Sequence, residues 1–248
     1  MLETAAVLRL PSLSGFFPAY NEQENVAGMV HRLRAMLTRV TDDYEIVIVN
    51  DGSVDRTAAI ADELAVADAH VRVVHHPANR GYGGALKSGF AASRKEYVFF
   101  TDGDGQFDVE EISALLPHVP AYDVVVGYRL DRAEGGLRRL NAHAWNRLVR
   151  LLFGVPVRDV DCAFKLIHRP VLEAVHPQAE GAMISTEFLA LAVREGFRVI
   201  EVGVHHYPRR HGTPTGANPL VIAQAFYELF KMYRRITREG AARAPRRP

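Results

Sequence analysis

The sequence predicts an α/β fold built on a mostly parallel, doubly wound sheet, and three observations carry that prediction. Short apolar runs rich in Val, Ile and Phe alternate with segments of helical periodicity through the first half of the chain. The runs are apolar at consecutive positions, as strands covered on both faces require. Turn-forming or acidic residues follow most runs at once, and open sheets of this class bind ligands beyond the carboxyl ends of their strands.

Strands are expected at residues 13–17, 44–49, 71–75, 97–101 and 124–127. After the first, Val26, Val30, Leu33 and Leu37 recur at three- and four-residue intervals, which predicts a helix over 24–40 with one apolar face. Asp55 suits the first turn of a helix at 55–67, in which Ile60 and Leu64 follow at helical spacing. Two more helices are expected at 83–93 and 109–116. The second half is less regular. An amphipathic helix is expected at 137–153, with Leu137, Leu140, Ala144, Leu148, Leu151 and Leu152 on one face. A strand at 162–168, a helix at 185–195, a strand at 198–205, a Gly- and Pro-marked loop at 208–218 and a last helix at 220–236 complete the pattern. The simplest organisation is one catalytic-sized domain over residues 1–218, followed by a C-terminal amphipathic helix and basic tail over 219–248.

Lys and Arg number 30 against 29 Asp and Glu, a net charge of +1, which excludes a wholesale nucleic-acid binder. The charge is unevenly spread. Residues 231–248 hold seven basic residues and one acid, leaving 23 basic against 28 acidic residues before them. A chain of this length buries roughly 70–75% of its unfolded surface and needs no disulfide or structural metal for a core. The single Cys162 fits a reducing compartment. No signal peptide is read at the start, and no run approaches the ~20 apolar residues of a membrane span. The expected location is therefore cytoplasmic, either free or peripheral on the inner membrane face.

Chemistry-bearing residues gather after the strands. Pro18-Ala19-Tyr20-Asn21-Glu22 follows the first, Asn50-Asp51-Gly52-Ser53 the second, and Asp102-Gly103-Asp104-Gly105-Gln106 the fourth. Asp102 and Asp104 are two apart between glycines, so both carboxylates can converge on one hard divalent cation, Mg²⁺ or Mn²⁺, with Gln106 offering a further oxygen. Such a cation recruits substrate phosphates, which suggests a diphosphate-bearing substrate. Each piece alone also reads as a turn. Asn79-Arg80-Gly81-Tyr82-Gly83-Gly84 lacks the ending of a P-loop, and its glycines could simply start the next helix. Four consecutive strand ends carrying such groups on the ligand-binding edge favour the functional reading.

Those four ordered motifs, with Phe17 before the first and Val54-Asp55-Arg56-Thr57 after the second, resemble family 2 glycosyltransferases. Within that group the likeness is to polyprenyl-phosphate sugar transferases of the dolichol-phosphate mannosyltransferase type. It spans about residues 12–215. It implies a GT-A (Rossmann-like) fold and inverting transfer from a nucleotide-diphosphate sugar, of GDP-mannose or UDP-glucose type, to a polyprenyl-phosphate acceptor. By the same resemblance, Pro18, Ala19, Tyr20 and Glu22 wall the nucleotide pocket, Asp51 accepts from the base and Arg80 lies near it. Asp102 contacts ribose and metal, while Asp104 and Gln106 hold the metal between the donor phosphates. Asn50 stands where many relatives carry Asp.

Gly127-Tyr128-Arg129 replaces the family's Gly-Ser-Arg, making Arg129 a candidate phosphate contact. Asp161, in Asp159-Val160-Asp161-Cys162-Ala163-Phe164-Lys165, and Glu187 resemble acceptor-side carboxylates. Asp161 could equally pair with Arg158 or Lys165. Arg209 resembles a loop arginine that closes over the phosphates, although the family's following Gly-x-Ser-Lys reads Gly212-Thr213-Pro214-Thr215 here. Asp104, Arg129 and Arg209 are thus expected to stabilise the leaving group, and Asp161 to act as base if the acceptor is a hydroxyl. A soluble hydroxyl acceptor and a catalytically silent nucleotide-binding partner of a membrane complex are the alternatives.

The pairs His75-His76 and His205-His206 lie in or beside strands, where neighbours face opposite ways, so each predicts one core and one surface histidine. Trp145 reads as a helix anchor and Cys162 as a packed residue. The tail helix, apolar on a broad stripe and basic at its end, reads either as packing on the body or as an interfacial helix for anionic lipid, a peripheral membrane contact.

Overall fold

A computed structural model describes residues 8–130, 136–208 and 227–238. Seven strands form one sheet: β1 (Leu13–Ala19), β2 (Tyr44–Asn50), β3 (Val71–His75), β4 (Tyr97–Thr101), β5 (Val124–Arg129), β6 (Phe164–His168) and β7 (Val199–Val204). Their order across the sheet is β3-β2-β1-β4-β6-β5-β7. β1, β2, β3 and β4 pair in parallel, as do β5 and β7, and β6 runs antiparallel to both its neighbours. The mostly parallel sheet of the sequence pattern is therefore present, with one reversed strand.

Every residue of β1 but Pro18 is buried, as is all of β2 after Tyr44, which explains their unbroken apolar runs. The connecting helices are α1 (Val26–Val40), α2 (Thr57–Ala67) and α3 (Gly81–Ala92). α1 buries Val26, Met29, Val30, Leu33, Met36, Leu37 and Val40, one stripe at helical spacing. Leu33 is wholly buried, and truncating such a leucine to alanine costs about 2–5 kcal/mol. Asp55 does bind the start of α2, its Oδ1 accepting from the Thr57 N–H at 2.9 Å.

Three departures from the expected elements have local causes. Residues 109–118 form not one helix but the short α4 (Ile112–Leu115) between 3₁₀ turns at Val109–Glu111 and Leu116–His118, with Pro117 in the second turn. A short helix α6 (Arg169–Ala174) was not expected; Pro170 in its first turn supplies a helical φ where no N–H is needed. α5 (Gly136–Phe153) forms as expected, but its buried positions include Asn146 and Val149, whereas Ala144 and Leu151 are exposed. Asn146 is inward because its Oδ1 accepts from the Val160 N–H at 3.1 Å, a polar anchor that an apolar pattern cannot reveal.

α7 (Ile184–Arg194) is buried over its first nine residues. The last described helix, α8, covers 227–238, and the expected start at 220–226 lies outside the described residues. Leu229, Met232 and Ile236 are buried, the Tyr233 ring meets Phe153 at 5.8 Å, and Arg194 donates to the Ile236 carbonyl at 3.3 Å. No helix among the described residues is long and apolar enough to cross a membrane.

Candidate active site

A cavity of about 540 Å³ opens at the carboxyl ends of the parallel strands. Its wall comes from Pro18–Glu22 at the carboxyl end of β1, Asp51 after β2, Asn79, Gly81, Tyr82 and Ala85 around the start of α3, and Asp102–Asp104 after β4. Strand order reverses here, because β2 lies on one side of β1 and β4 on the other, and doubly wound sheets open a crevice at such a switch point. The first two loops are stitched together. Asn21 N–H donates to Ser53 Oγ at 3.0 Å, Val54 N–H to Asn21 Oδ1 at 2.9 Å and Glu22 N–H to Thr57 Oγ1 at 2.8 Å.

Asp51 is buried at one wall of this cavity. Its Oδ1 accepts from His76 Nδ1 at 2.5 Å and from the Arg80 N–H at 2.9 Å, while His76 Nε2 lies 2.8 Å from Ser88 Oγ. His76 is thus the core member of its pair and positions Asp51, a part the sequence reading did not give it; His75 is exposed. Asn50 is also buried, its amide N–H reaching His75 Nδ1 at 2.9 Å and its Oδ1 accepting from Ser53 N–H at 3.2 Å. The Arg80 side chain is exposed and does not line the cavity.

Asp102 and Asp104 share the other wall. Asp104 is buried with its Oδ1 accepting from the Gln106 N–H at 3.0 Å, and Asp102 Oδ1 accepts from the Tyr82 hydroxyl at 3.1 Å. Gly105 has φ +73°, the left-handed conformation that lets the loop turn directly after Asp104. Burial and then the charge of Asp104 push Asp102 up to about 7, against the opposing influence of the Tyr82 hydroxyl, Lys165 and Arg129. Two carboxylates that repel one another at an open cavity have the chemistry that Mg²⁺ or Mn²⁺ uses, since these ions take one or two carboxylates and complete their shell with phosphate and water. Gln106, expected to offer a further oxygen to the cation, does not line the cavity; its amide nitrogen donates to the Tyr207 carbonyl at 3.0 Å, tying the 102–106 loop to the chain segment after β7.

The second-half candidates are placed differently. Arg129 meets Asp159 through Nε and Nη2, both at 2.8 Å, so it approaches the site as half of an ion pair whose partner is buried. Asp159 is not among the residues the sequence singles out; the resemblance to an acceptor-side segment points to Asp161 instead. Asp161 is exposed, and its charge contributes to raising both Tyr82 and Arg129. Of the two cations weighed beside it, Arg158 pairs with Glu201 and Lys165 donates to the Val160 and Cys162 carbonyls. Cys162 is buried and its thiol is pushed up to about 12, mainly by burial, as a packed cysteine should be. Glu187 is 1% exposed and does not line the cavity; its carboxylate binds the Gln178 and Ala179 N–H groups and Arg235. Arg209 lies outside the described residues.

A family model described as glycosyl transferase family 2 matches residues 14–175. The chain belongs to that family. It is 34% identical over 212 residues to the polyprenol monophosphomannose synthase of Mycolicibacterium smegmatis, covering 79% of this chain and 77% of the relative. Glycosyltransferase AglD of Haloferax volcanii is 34% identical over 209 residues, and an undecaprenyl-phosphate 4-deoxy-4-formamido-L-arabinose transferase of Pseudomonas fluorescens is 33% identical over 198. Each alignment covers 79% of this chain, which spans 33% of the first of these two relatives and 57% of the second.

Among solved structures, glucosyl-3-phosphoglycerate synthase of Mycobacterium tuberculosis, in complex with Mn²⁺, UDP and glucosyl-3-phosphoglycerate, aligns with a TM-score of 0.63 and 21% identity. That alignment covers 90% of this chain and 76% of the other. At this identity the likeness establishes the GT-A fold of this glycosyltransferase-family chain.

Proposed function

We propose that this chain transfers a hexose from a nucleotide-diphosphate donor, of GDP-mannose or UDP-glucose type, to polyprenyl phosphate, with inversion at the anomeric carbon. The observation that carries this reading is the meeting of a pre-oriented hydrogen-bond acceptor, Asp51, with the Asp102/Asp104 pair in one cavity. The relatives named as polyprenyl-phosphate sugar transferases support the acceptor class.

In this mechanism Asp51, fixed by His76 and the Arg80 N–H, accepts from the base. Pro18, Ala19, Tyr20 and Glu22 enclose the nucleotide. Asp102 and Asp104 would hold Mg²⁺ or Mn²⁺, which would supply positive charge to the departing diphosphate, while Gln106 anchors their loop to the Tyr207 carbonyl. Arg129 adds a cation whose reach is moderated by Asp159, and Arg209 a second. A phosphate acceptor is ionised at neutral pH and attacks without a general base. Asp161 is the observation that favours a second reading, a hydroxyl acceptor, because an exposed carboxylate near Tyr82 can take the proton.

The acceptor would be met at a lipid surface by α8. Tyr227 and Phe230 are 64% and 60% exposed on this helix, and the Arg234 guanidinium lies 5.6 Å from the Phe230 ring centroid. Exposed aromatics beside basic residues suit the interface of an anionic membrane, here its cytoplasmic face. The deciding experiment incubates the protein with a panel of nucleotide sugars, Mn²⁺ or Mg²⁺ and a short polyprenyl phosphate. Solvent-extractable sugar-lipid is the expected product. Nucleotide release only with a soluble hydroxyl acceptor would select the second reading, and binding without turnover on either would reduce the chain to a nucleotide-binding partner.

A further inference from the structure

The glycines after β3 have a physical reason that is not phosphate binding. A Cβ on Gly83 would lie 2.6 Å from the Ala179 carbonyl oxygen and 2.7 Å from the Glu180 carbonyl carbon, and one on Gly81, at φ +77°, 2.9 Å from the Glu180 oxygen. The backbone at 179–180 therefore lies flush on the first turn of α3, where the Gly83 N–H donates to the Glu180 carbonyl at 2.8 Å. Lys87, on the same helix, adds a 3.3 Å bond to the Gln178 carbonyl. Between the two contact glycines stands Tyr82, which lines the cavity and donates to Asp102.

The 178–180 segment is itself held from behind. Glu187 accepts from the Gln178 N–H at 2.9 Å through Oε1 and from the Ala179 N–H at 2.7 Å through Oε2. Its carboxylate charge is met by Arg235 of α8, which also donates to the Gln178 side-chain oxygen. Arg235 lies 48 residues from Glu187 and outside the matched residues 14–175.

We infer that Arg235 is a positioning residue for the nucleotide cavity, acting through Glu187 and the 178–180 backbone on the first turn of α3. Removing the guanidinium leaves a buried carboxylate with backbone N–H partners but no cationic one among the described residues, a costly state. The carboxylate then turns toward water, which loosens the two N–H bonds that hold the 178–180 backbone against Gly83. Tyr82 then loses the fixed turn that aims its hydroxyl at Asp102. The inference rests on the nucleotide reading of the cavity.

The test measures nucleoside diphosphate affinity with Mn²⁺ by calorimetry, and donor KM and kcat, for the full chain and for Arg235→Ala, Arg235→Lys and Glu187→Gln. Arg235→Ala is expected to weaken nucleotide binding and raise donor KM about tenfold, equivalent to ~1.4 kcal/mol, with kcat changed much less. Arg235→Lys, which keeps the charge, should recover a large part of the affinity. Adding Arg235→Ala to Glu187→Gln should cost less than it does alone. A lowered melting temperature with nucleotide affinity unchanged in Arg235→Ala overturns the inference, because it shows α8 packing without coupling to the cavity. Should Arg235→Ala fail to fold, the affinity of Arg235→Lys and Glu187→Gln decides in the same way. Failure of the wild-type chain to bind any nucleoside diphosphate would instead sink the nucleotide reading itself.

Discussion

Replacing Asp102 by Asn should stabilise the metal-free protein at alkaline pH. Asp102 is raised from 3.8 to about 7 by burial and by Asp104, so its ionised form is disfavoured in the folded state. The sign follows from linkage: the penalty is absent below the unfolded pKa, grows as pH rises through the interval, and is complete above about 7. A shift of this size corresponds to an unscreened ~4 kcal/mol, and screening at a partly accessible carboxylate reduces it to about 1–2 kcal/mol. Asn retains the oxygen that accepts from Tyr82, so that hydrogen bond survives. For a chain of this size the gain corresponds to a Tm rise of roughly 2–8 °C at pH 8. Scanning fluorimetry of both proteins in chelator, at pH 8 and pH 5, measures it, with less than half the gain expected at pH 5. A Tm equal to or below wild type at pH 8 would refute a folded-state penalty on ionised Asp102.

The remaining predictions concern ligands and the lipid surface. Asp104→Ala should abolish Mn²⁺-dependent binding of nucleoside diphosphate in calorimetry; unchanged affinity would remove Asp104 from the metal site. His76→Ala frees Asp51 from one of its two donors to Oδ1 and should weaken nucleotide binding by about tenfold, or ~1.4 kcal/mol, whereas an equal Kd would show that Asp51 needs no positioning. Replacing Tyr227 and Phe230 together by Ser should weaken sedimentation with anionic liposomes without lowering Tm, since both side chains are exposed. Equal sedimentation would dismiss α8 as the lipid contact.

Much of this site was legible in the chain because its donors are local. Asp102, Gly103, Asp104 and Gly105 are consecutive, and the Asn50–Ser53 turn follows directly from a buried strand, so spacing and strand ends sufficed. The Asx contact of Asp55 with Thr57 was legible for the same reason. What escaped were pairs distant in sequence. The sequence left open which of His75 and His76 is the core member until the β2–β3 pairing set His76 beside Asp51, 25 residues away. Asp159 looked secondary to Asp161 until the turn before β6 carried it to Arg129, 30 residues away.

The sequence by itself determined the sheet class, the edge that carries the ligand groups and the family, because apolar period and strand-end motifs are properties of short consecutive stretches. Tertiary structure alone decided which carboxylates face the cavity and which serve the frame. Glu187 and Asp102 are both acids in family-like motifs. One is turned into a buried bond network closed by a guanidinium from the last helix, and the other stands in the cavity wall beside Asp104. That division depends on which charge each meets across the fold, and the partner of Glu187 lies 48 residues away.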